Sequence, residues 1–251
     1  MAPTDSERSA AAILSSLTIV VPAYNESARI DATLARIFAW RALRAPDCEI
    51  VVVDDGSRDD TVQRASRAGQ GQAHFRVEAL GRNRGKGAAV RRGVQQATRQ
   101  WVLFSDADLS TPIEEIDKLL AAVAAGADIA IASRDTAGST IDRRQPAYRE
   151  AMGRTFNALV RALAVPGIAD TQCGFKLFAA EAARRCFSRM TIERFAFDVE
   201  VLYIARRLGY RIAEVGVRWV NDDRSTVSPV RDAARMLTDV ARIRWRHRGV
   251  S

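Results

Sequence analysis

Apolar residues in the first half of the chain fall into short runs separated by helical spacings. Residues 17–21, 49–53, 75–80, 101–104 and 128–132 form compact apolar runs rich in valine and isoleucine. Ile30, Leu34, Ile37 and Phe38 recur at the interval of a buried helix stripe, and similar spacing appears over 88–98 and 113–125. Continuous runs such as Ile50-Val51-Val52-Val53 suit strands covered on both faces. Strands alternating with helices predict an α/β fold with a mostly parallel central sheet, right-handed crossovers and flanking helices.

Ligands of such sheets bind beyond the carboxyl ends of the strands. The segments leaving those ends are 22–26, 54–57, 81–87, 106–110 and 133–135, all rich in acids, glycines or arginines. The chemistry is therefore expected along one rim. After residue 135 the pattern changes. Residues 136–146 read as a mobile polar loop, 149–163, 180–187 and 198–208 as helices, and 211–220 as a strand. Residues 229–248 read as a helix, with Val230, Leu237, Val240 and Ile243 among its apolar positions and arginines elsewhere. The expected organisation is a frayed leader over 1–16, one domain over 17–228 with a first half (17–135) and a second half (136–228), and a basic amphipathic helix over 229–251.

Composition narrows the possibilities. The 251 residues are 47% hydrophobic and 27% charged, as in an ordinary globular protein, and no run approaches the ~18 apolar residues of a membrane-spanning helix. Three scattered cysteines (Cys48, Cys173, Cys186) make no disulfide framework or zinc motif. The two histidines, His74 and His247, are expected on the surface. The net charge of +8 comes from 35 arginines against 3 lysines among the 38 basic residues. Arginine's planar fork suits phosphate, although genomic bias explains such an excess equally well. Nucleic-acid binding would need aromatic and basic residues interleaved, and that pattern is missing.

Asp106-Ala107-Asp108 follows a buried-looking run and precedes Thr111-Pro112-Ile113-Glu114, which has the form of a capped helix start. Residues two apart in an extended segment face the same way, so both carboxylates can meet one hard divalent cation. A plain turn is the alternative. Tyr24 and Glu26 can stack on and hydrogen-bond a nucleoside, while Asn25 can instead cap the next helix. Asp55 can read a nucleobase N–H edge, or simply belong to an Asp-Gly turn. Arg82-Asn83-Arg84-Gly85-Lys86-Gly87 lacks P-loop spacing and remains a cationic loop before a helix, suited to phosphate oxygens or to solvent.

In combination these segments resemble family 2 glycosyltransferases of the GT-A fold. The shared features are Val21-Pro22-Ala23-Tyr24-Asn25-Glu26, Val53-Asp54-Asp55-Gly56-Ser57, Asn83-Arg84-Gly85-Lys86-Gly87 and Asp106-Ala107-Asp108. Asp108-Leu109-Ser110-Thr111-Pro112, Ala132-Ser133-Arg134, the stretch from Asp170 to Phe178 and Phe195-Ala196-Phe197-Asp198-Val199-Glu200 are similar to the dolichyl-phosphate glucosyltransferase branch. The GDP-mannose-dependent mannosyltransferases are the nearest competitor.

The resemblance implies inverting transfer of glucose from UDP-glucose to a polyprenyl phosphate, with Mg2+ or Mn2+ as cofactor. It implies that Pro22, Ala23, Tyr24, Glu26, Asp55 and Lys86 bind the nucleotide sugar and that Asp106 and Asp108 hold the metal. Ser110 stands where mannosyltransferase relatives have a metal-assisting glutamine. Arg134 and Arg149 would serve the reaction with Asp108, while Arg143, Arg144, Gln172 and Asp198 would lie on the acceptor side. At Arg149 the serine expected four residues later is Gly153. Eukaryotic members of the branch carry an N-terminal membrane anchor, which is not read here. The resemblance thus implies a cytoplasmic enzyme, peripheral on the cytoplasmic face of a membrane, with the 229–248 helix either on lipid or packed on the protein.

A lipid phosphate is already ionised and needs cations rather than a general base. A saccharide acceptor would need one, and Asp198 and Asp170 are the candidates. From the sequence, Asp108→Ala and Arg134→Ala are each expected to abolish transfer and leave the fold intact.

Overall fold

A computed structural model describes residues 5–143, 164–220, 238–239 and 242–249. The valine- and isoleucine-rich runs form β1 (Leu17–Ala23), β2 (Glu49–Asp54), β3 (Phe75–Ala79), β4 (Trp101–Ser105) and β5 (Ile129–Ser133). The rest of the described elements are β6 (Thr140–Arg143), β7 (Phe175–Ala179), β8 (Ile212–Gly216) and β9 (Arg218–Val220), with helices α1 (Asp5–Ser15), α2 (Ile30–Arg44), α3 (Thr61–Ala68), α4 (Lys86–Gln96), α5 (Ile116–Ala124), α6 (Ala180–Arg189) and α7 (Phe197–Arg207). The main sheet runs β3-β2-β1-β4-β7-β5-β8 and is parallel except for β7, which is antiparallel to β4 and β5.

Both faces of this sheet are covered. Ile19, Val21, Ile50, Val52 and Leu103 pack with Ile30, Leu34 and Ile37 of α2 and Leu119 and Leu120 of α5. Val20, Val51, Val53 and Phe104 pack on the opposite side with Val90 and Val94 of α4, Phe187 of α6 and Val201 of α7. The alternation of neighbouring strand residues between the two clusters accounts for the continuous apolar stretches Ile19–Val21, Ile50–Val53 and Val102–Phe104. Register aligns the strand ends: Ala23 lies beside Asp54, and Val20 beside Phe104. The loops after β1, β2 and β4 therefore open at one level.

Several elements depart from the sequence reading. The leader is helical, because Ile13 and Leu14 of α1 join the α2/α5 core. The loop expected over 136–146 contains β6, which pairs with β9 in a separate two-stranded sheet. The single strand expected over 211–220 is two strands. At Gly216 an added Cβ would lie 2.3 Å from the Ala137 carbonyl oxygen, so the chain turns there beneath the 137–139 loop and leaves the main sheet. Pairing hid β7: Lys176 sits in the middle of that run and is buried. Thr111 makes no helix cap; a 3-10 turn (Ile113–Glu115) precedes α5, and the Thr111 hydroxyl contacts Cys173 Sγ at 3.5 Å.

The helix expected over 149–163 lies outside the described residues. Of the expected C-terminal helix, residues 238–239 and 242–246 are helical; Ile243 is buried in the α4/α6/α7 core and Trp245 is exposed. Among the described residues no helix is long and apolar enough to cross a membrane.

Candidate active site

Asp106 leaves β4 with its amide donating to the Gly174 carbonyl at 3.0 Å, a bond to the turn before β7. A Cβ on Gly174 would stand 2.0 Å from Asp106 Oδ2, so glycine is needed for the Asp106 carboxylate to lie there. Three residues later the backbone reverses through Leu109 at φ 47°, a left-handed conformation unfavourable for a branched apolar side chain. The Leu109 amide donates to the Asp106 carbonyl at 3.1 Å, and the Ser110 amide donates to Asp108 Oδ1 at 2.9 Å. The strained turn keeps both carboxylates on the same rim.

Lys86, the first residue of α4, reaches Asp106 Oδ1 at 2.6 Å. Burial opposes its charge, but Asp106, Asp198 and Asp108 together outweigh burial and push its pKa up. Asp108 is pushed up by burial and then by the neighbouring Asp106 charge, only partly offset by Ser110 and Lys86. The rim thus holds more negative charge than its lysine neutralises. Among the described residues no three His, Cys, Asp or Glu side chains group to enclose a metal. Two carboxylates with surplus negative charge fit a cation that takes its remaining oxygens from a phosphorylated ligand and water. Ser110 is buried and bound to Asp108, and so acts on the orientation of that carboxylate.

The next loops fit together through polar bonds. Asn25 adopts φ 55° and does not cap α2. Instead its amide donates to Ser57 Oγ at 2.8 Å, and its side-chain oxygen accepts from the Arg58 amide at 2.9 Å. Tyr24 beside it is exposed, while Pro22 and Ala23 are buried. The Glu26 carboxylate pairs with Arg29 Nε at 2.7 Å, and its amide donates to Thr61 Oγ1 at 2.8 Å. Asp54 accepts the Gly56 and Ser57 amides, both at 3.0 Å, closing the Asp-Gly turn. Asp55, read as a reader of nucleobase edges, is buried and accepts the Arg84 amide at 2.8 Å and the Gly85 amide at 2.7 Å. Burial raises its pKa despite those donors. It ties the cationic loop to the sheet, and its side chain is occupied in doing so.

At the end of the first half, Arg134 leaves β5 and forms a bidentate pair with Asp170 of the second, Nε to Oδ2 at 2.6 Å and Nη2 to Oδ1 at 2.9 Å. Its guanidinium also lies 5.4 Å from the centre of the Trp219 ring. Burial alone would raise the Asp170 carboxyl; the Arg134 charge and hydrogen bonds hold it down to about 2. Glu214 fixes the backbone here by accepting the Ala169 and Asp170 amides at 2.8 and 2.7 Å. Gln172 is half-buried, and its amide donates to Asp170 Oδ1 at 3.1 Å. Arg143 ends β6, whereas Arg144 and Arg149 lie outside the described residues.

Asp198 opens α7 and is buried against Lys176, whose Nζ donates to Asp198 Oδ1 at 2.5 Å and to the Cys173 carbonyl at 2.6 Å. Burial raises the Asp198 pKa against the charges of Lys176 and Lys86. Lys176 escaped the sequence reading; the only signal was a lysine within an otherwise apolar five-residue run. His247, expected on the surface, is buried, with Nε2 2.7 Å from the fully buried Glu200 Oε1. Glu200 also accepts the Thr191 and Ile192 amides at 2.9 and 2.7 Å. His74 is exposed. All three cysteines are free and buried, with their thiols pushed up by burial to about 12, 11 and 12 for Cys48, Cys173 and Cys186. They are poor nucleophiles.

The structure therefore joins Lys86, Asp106, Asp108 and Asp198 in one electrostatic group, with the Arg134–Asp170 pair bridging the two halves. The sequence pattern of Glycosyl transferase family 2 matches residues 18–187. A protein of Dictyostelium discoideum named dolichyl-phosphate beta-glucosyltransferase is 35% identical over 243 residues, covering 92% of this chain and 74% of its own. A mouse (Mus musculus) protein of the same name is 39% identical over 244 residues, with 92% and 75% covered. Among solved structures, glucosyl-3-phosphoglycerate synthase from Mycobacterium tuberculosis, in complex with Mn2+, uridine diphosphate and glucosyl-3-phosphoglycerate, superposes with a TM-score of 0.67. It is 22% identical, covering 98% of this chain and 85% of that one. The architecture is the GT-A fold.

Proposed function

The chain belongs to glycosyl transferase family 2, and from that premise we propose that it transfers glucose from UDP-glucose to a polyprenyl phosphate with inversion at the anomeric carbon. The observation that carries the reading is the surplus of negative charge at Asp106 and Asp108 beside Lys86 on the strand-end rim. Those two carboxylates would hold Mg2+ or Mn2+ against the donor diphosphate, as the Mn2+ and uridine diphosphate bound to the mycobacterial structure suggest. A bound divalent cation supplies charge stabilisation for the departing diphosphate.

The protein's own groups do the rest. Lys86, kept protonated by three carboxylates, adds a positive charge near the leaving group. Tyr24, exposed at the end of β1, offers a face for the nucleobase, with Glu26, Pro22 and Ala23 shaping that end. On the opposing side Arg134 is kept in one orientation by Asp170 and Trp219, so that its fork can meet the acceptor phosphate without reorganising. Arg143, Arg144, Arg149 and Gln172 are proposed to complete the acceptor side. An ionised phosphate attacks without losing a proton, and Asp170, held down to about 2 by Arg134, is ill suited to act as a base.

Association with the cytoplasmic face of a membrane belongs to the same proposal. Trp245 is 66% exposed with Arg248 5.8 Å from its ring, a pairing suited to an interface between lipid and water. The test is incubation with UDP-glucose or GDP-mannose, each with polyprenyl phosphate and Mn2+, and analysis of the lipid product. A glucosyl lipid formed from UDP-glucose alone is expected. A mannosyl lipid, or transfer to a saccharide in place of lipid phosphate, would overturn the assignment.

A further inference from the structure

Behind the 82–84 loop of the rim, a cavity of about 580 Å³ opens between that loop, residues 191–194 and the C-terminal helical segment, with none of Asp106, Asp108 and Lys86 in its lining. The 82–84 loop has two sides. Its backbone amides at 84 and 85 are turned to Asp55, while the Arg84 side chain extends away to the Glu193 carboxylate. Arg82, Arg84, Arg194, Arg242 and Arg246 line the cavity against two acids, Glu193 and Asp239, leaving three positive charges in excess.

Those acids are already committed. Glu193 is shared by Arg84 and by Arg91 at 2.8 Å, and Asp239 pairs with Arg242 at 3.3 Å. Among the described residues neither Arg82 nor Arg194 forms an ion pair within 4.0 Å, although the Arg194 charge acts on Asp55 at longer range. The C-terminal wall is not loosely draped. Arg246 donates to Thr191 Oγ1 at 2.9 Å, His247 is bonded to buried Glu200, and Ile243 is in the core. Like charges held at a concave surface repel one another, and an anion with several acceptor oxygens relieves that repulsion.

We propose that this cavity is a phosphate-binding site separate from the Asp106–Asp108 centre. Its ligand is a phosphate monoester or diester, carried either by a lipid headgroup or by a free solute. The site uses none of the residues assigned to the donor diphosphate, so it stands or falls apart from the proposed transfer reaction.

The experiment compares the full chain with Arg242→Ala/Arg246→Ala in chelator, where the acid pair has no cation through which to hold phosphate. Binding is measured to inorganic phosphate by calorimetry and to phosphatidylcholine vesicles with and without phosphatidylglycerol by co-sedimentation. Arg242 is largely exposed, and unchanged circular dichroism would verify the fold of the double variant. The wild type is expected to bind and the double variant to bind about 25-fold more weakly, at roughly fivefold per arginine near an anionic surface. Asp108→Ala should bind as the wild type does. Uptake of inorganic phosphate identifies a free solute as the source; binding only to the phosphatidylglycerol vesicles identifies a headgroup. Equal binding by wild type and double variant, binding to neither probe, or loss of binding in Asp108→Ala would overturn the proposal.

Discussion

On the donor rim, Asp54, Asp55 and Asp108 accept hydrogen bonds from backbone amides, whereas Asp170, Asp198 and Glu200 in the second half face Arg134, Lys176 and His247. Amides hold a carboxylate in place without cancelling its charge; the cationic Arg134 and Lys176 cancel those of Asp170 and Asp198. The rim accordingly keeps negative charge available to a ligand, with Lys86 shared among three acids. In the second half Asp170 and Asp198 are paired with cations, and all three acids are buried, Asp170 and Glu200 fully and Asp198 nearly so. Under the proposed reaction the rim binds the donor's cation, while the buried pairs of the second half hold shape and orient Arg134.

That contrast can be broken by substitution. Asp108→Ala removes a rim carboxylate and leaves the buried Ser110 amide without that acceptor, so transfer should fall about 10³-fold or more while the melting temperature drops by only about 2–4 °C, the shift expected for roughly 1 kcal/mol. Steady-state kinetics with thermal melting checks both halves of the statement. Arg134→Ala should behave differently from its sequence-based expectation of an intact fold. It strands the buried Asp170 charge and should cost about 3 kcal/mol in urea unfolding as well as activity. A variant that lost activity at full stability would show that the pair is not structural.

Gly174→Ala tests the seam between the regions. Its Cβ would collide with Asp106 Oδ2, and a displacement near 1 Å should lower kcat by about 10²-fold, more than it changes KM for the acceptor. The smallest effect is on pH dependence. Asp170 is held below the ordinary carboxylate value, at about 2, so its contribution is complete above pH ~4 and is lost as pH falls from ~4 towards ~2. Roughly 2 kcal/mol of unfolding free energy should disappear over that window in the wild type and not in Asp170→Asn, as followed by acid titration of urea midpoints.

The parallel strands and their rim were legible because each signal is local. A strand covered on both faces must be apolar throughout, and the loop after it must carry whatever is polar. Asp106 and Asp108 followed from that logic alone, and the resemblance to family 2 glycosyltransferases rested on the same segments. The helical leader was missed because α1 owes its order to Ile13 and Leu14 packing on a distant face. Lys176 obscured β7, and His247 looked superficial, because each is made buriable by an acid far along the chain: Asp198 for the lysine, Glu200 for the histidine.

By itself, then, the order of apolar runs and acidic turns determined the layered sheet, the rim that gathers its polar loops and the two carboxylates placed on that rim. Only the tertiary structure decided that Asp55 serves the loop of Arg84 and Gly85, that Arg134 is locked to Asp170, and that five arginines surround one cavity. The physical reason is range. Periodicity and turn chemistry act between residues a few positions apart, whereas the burial of a charge depends on a partner that sequence separation does not reveal.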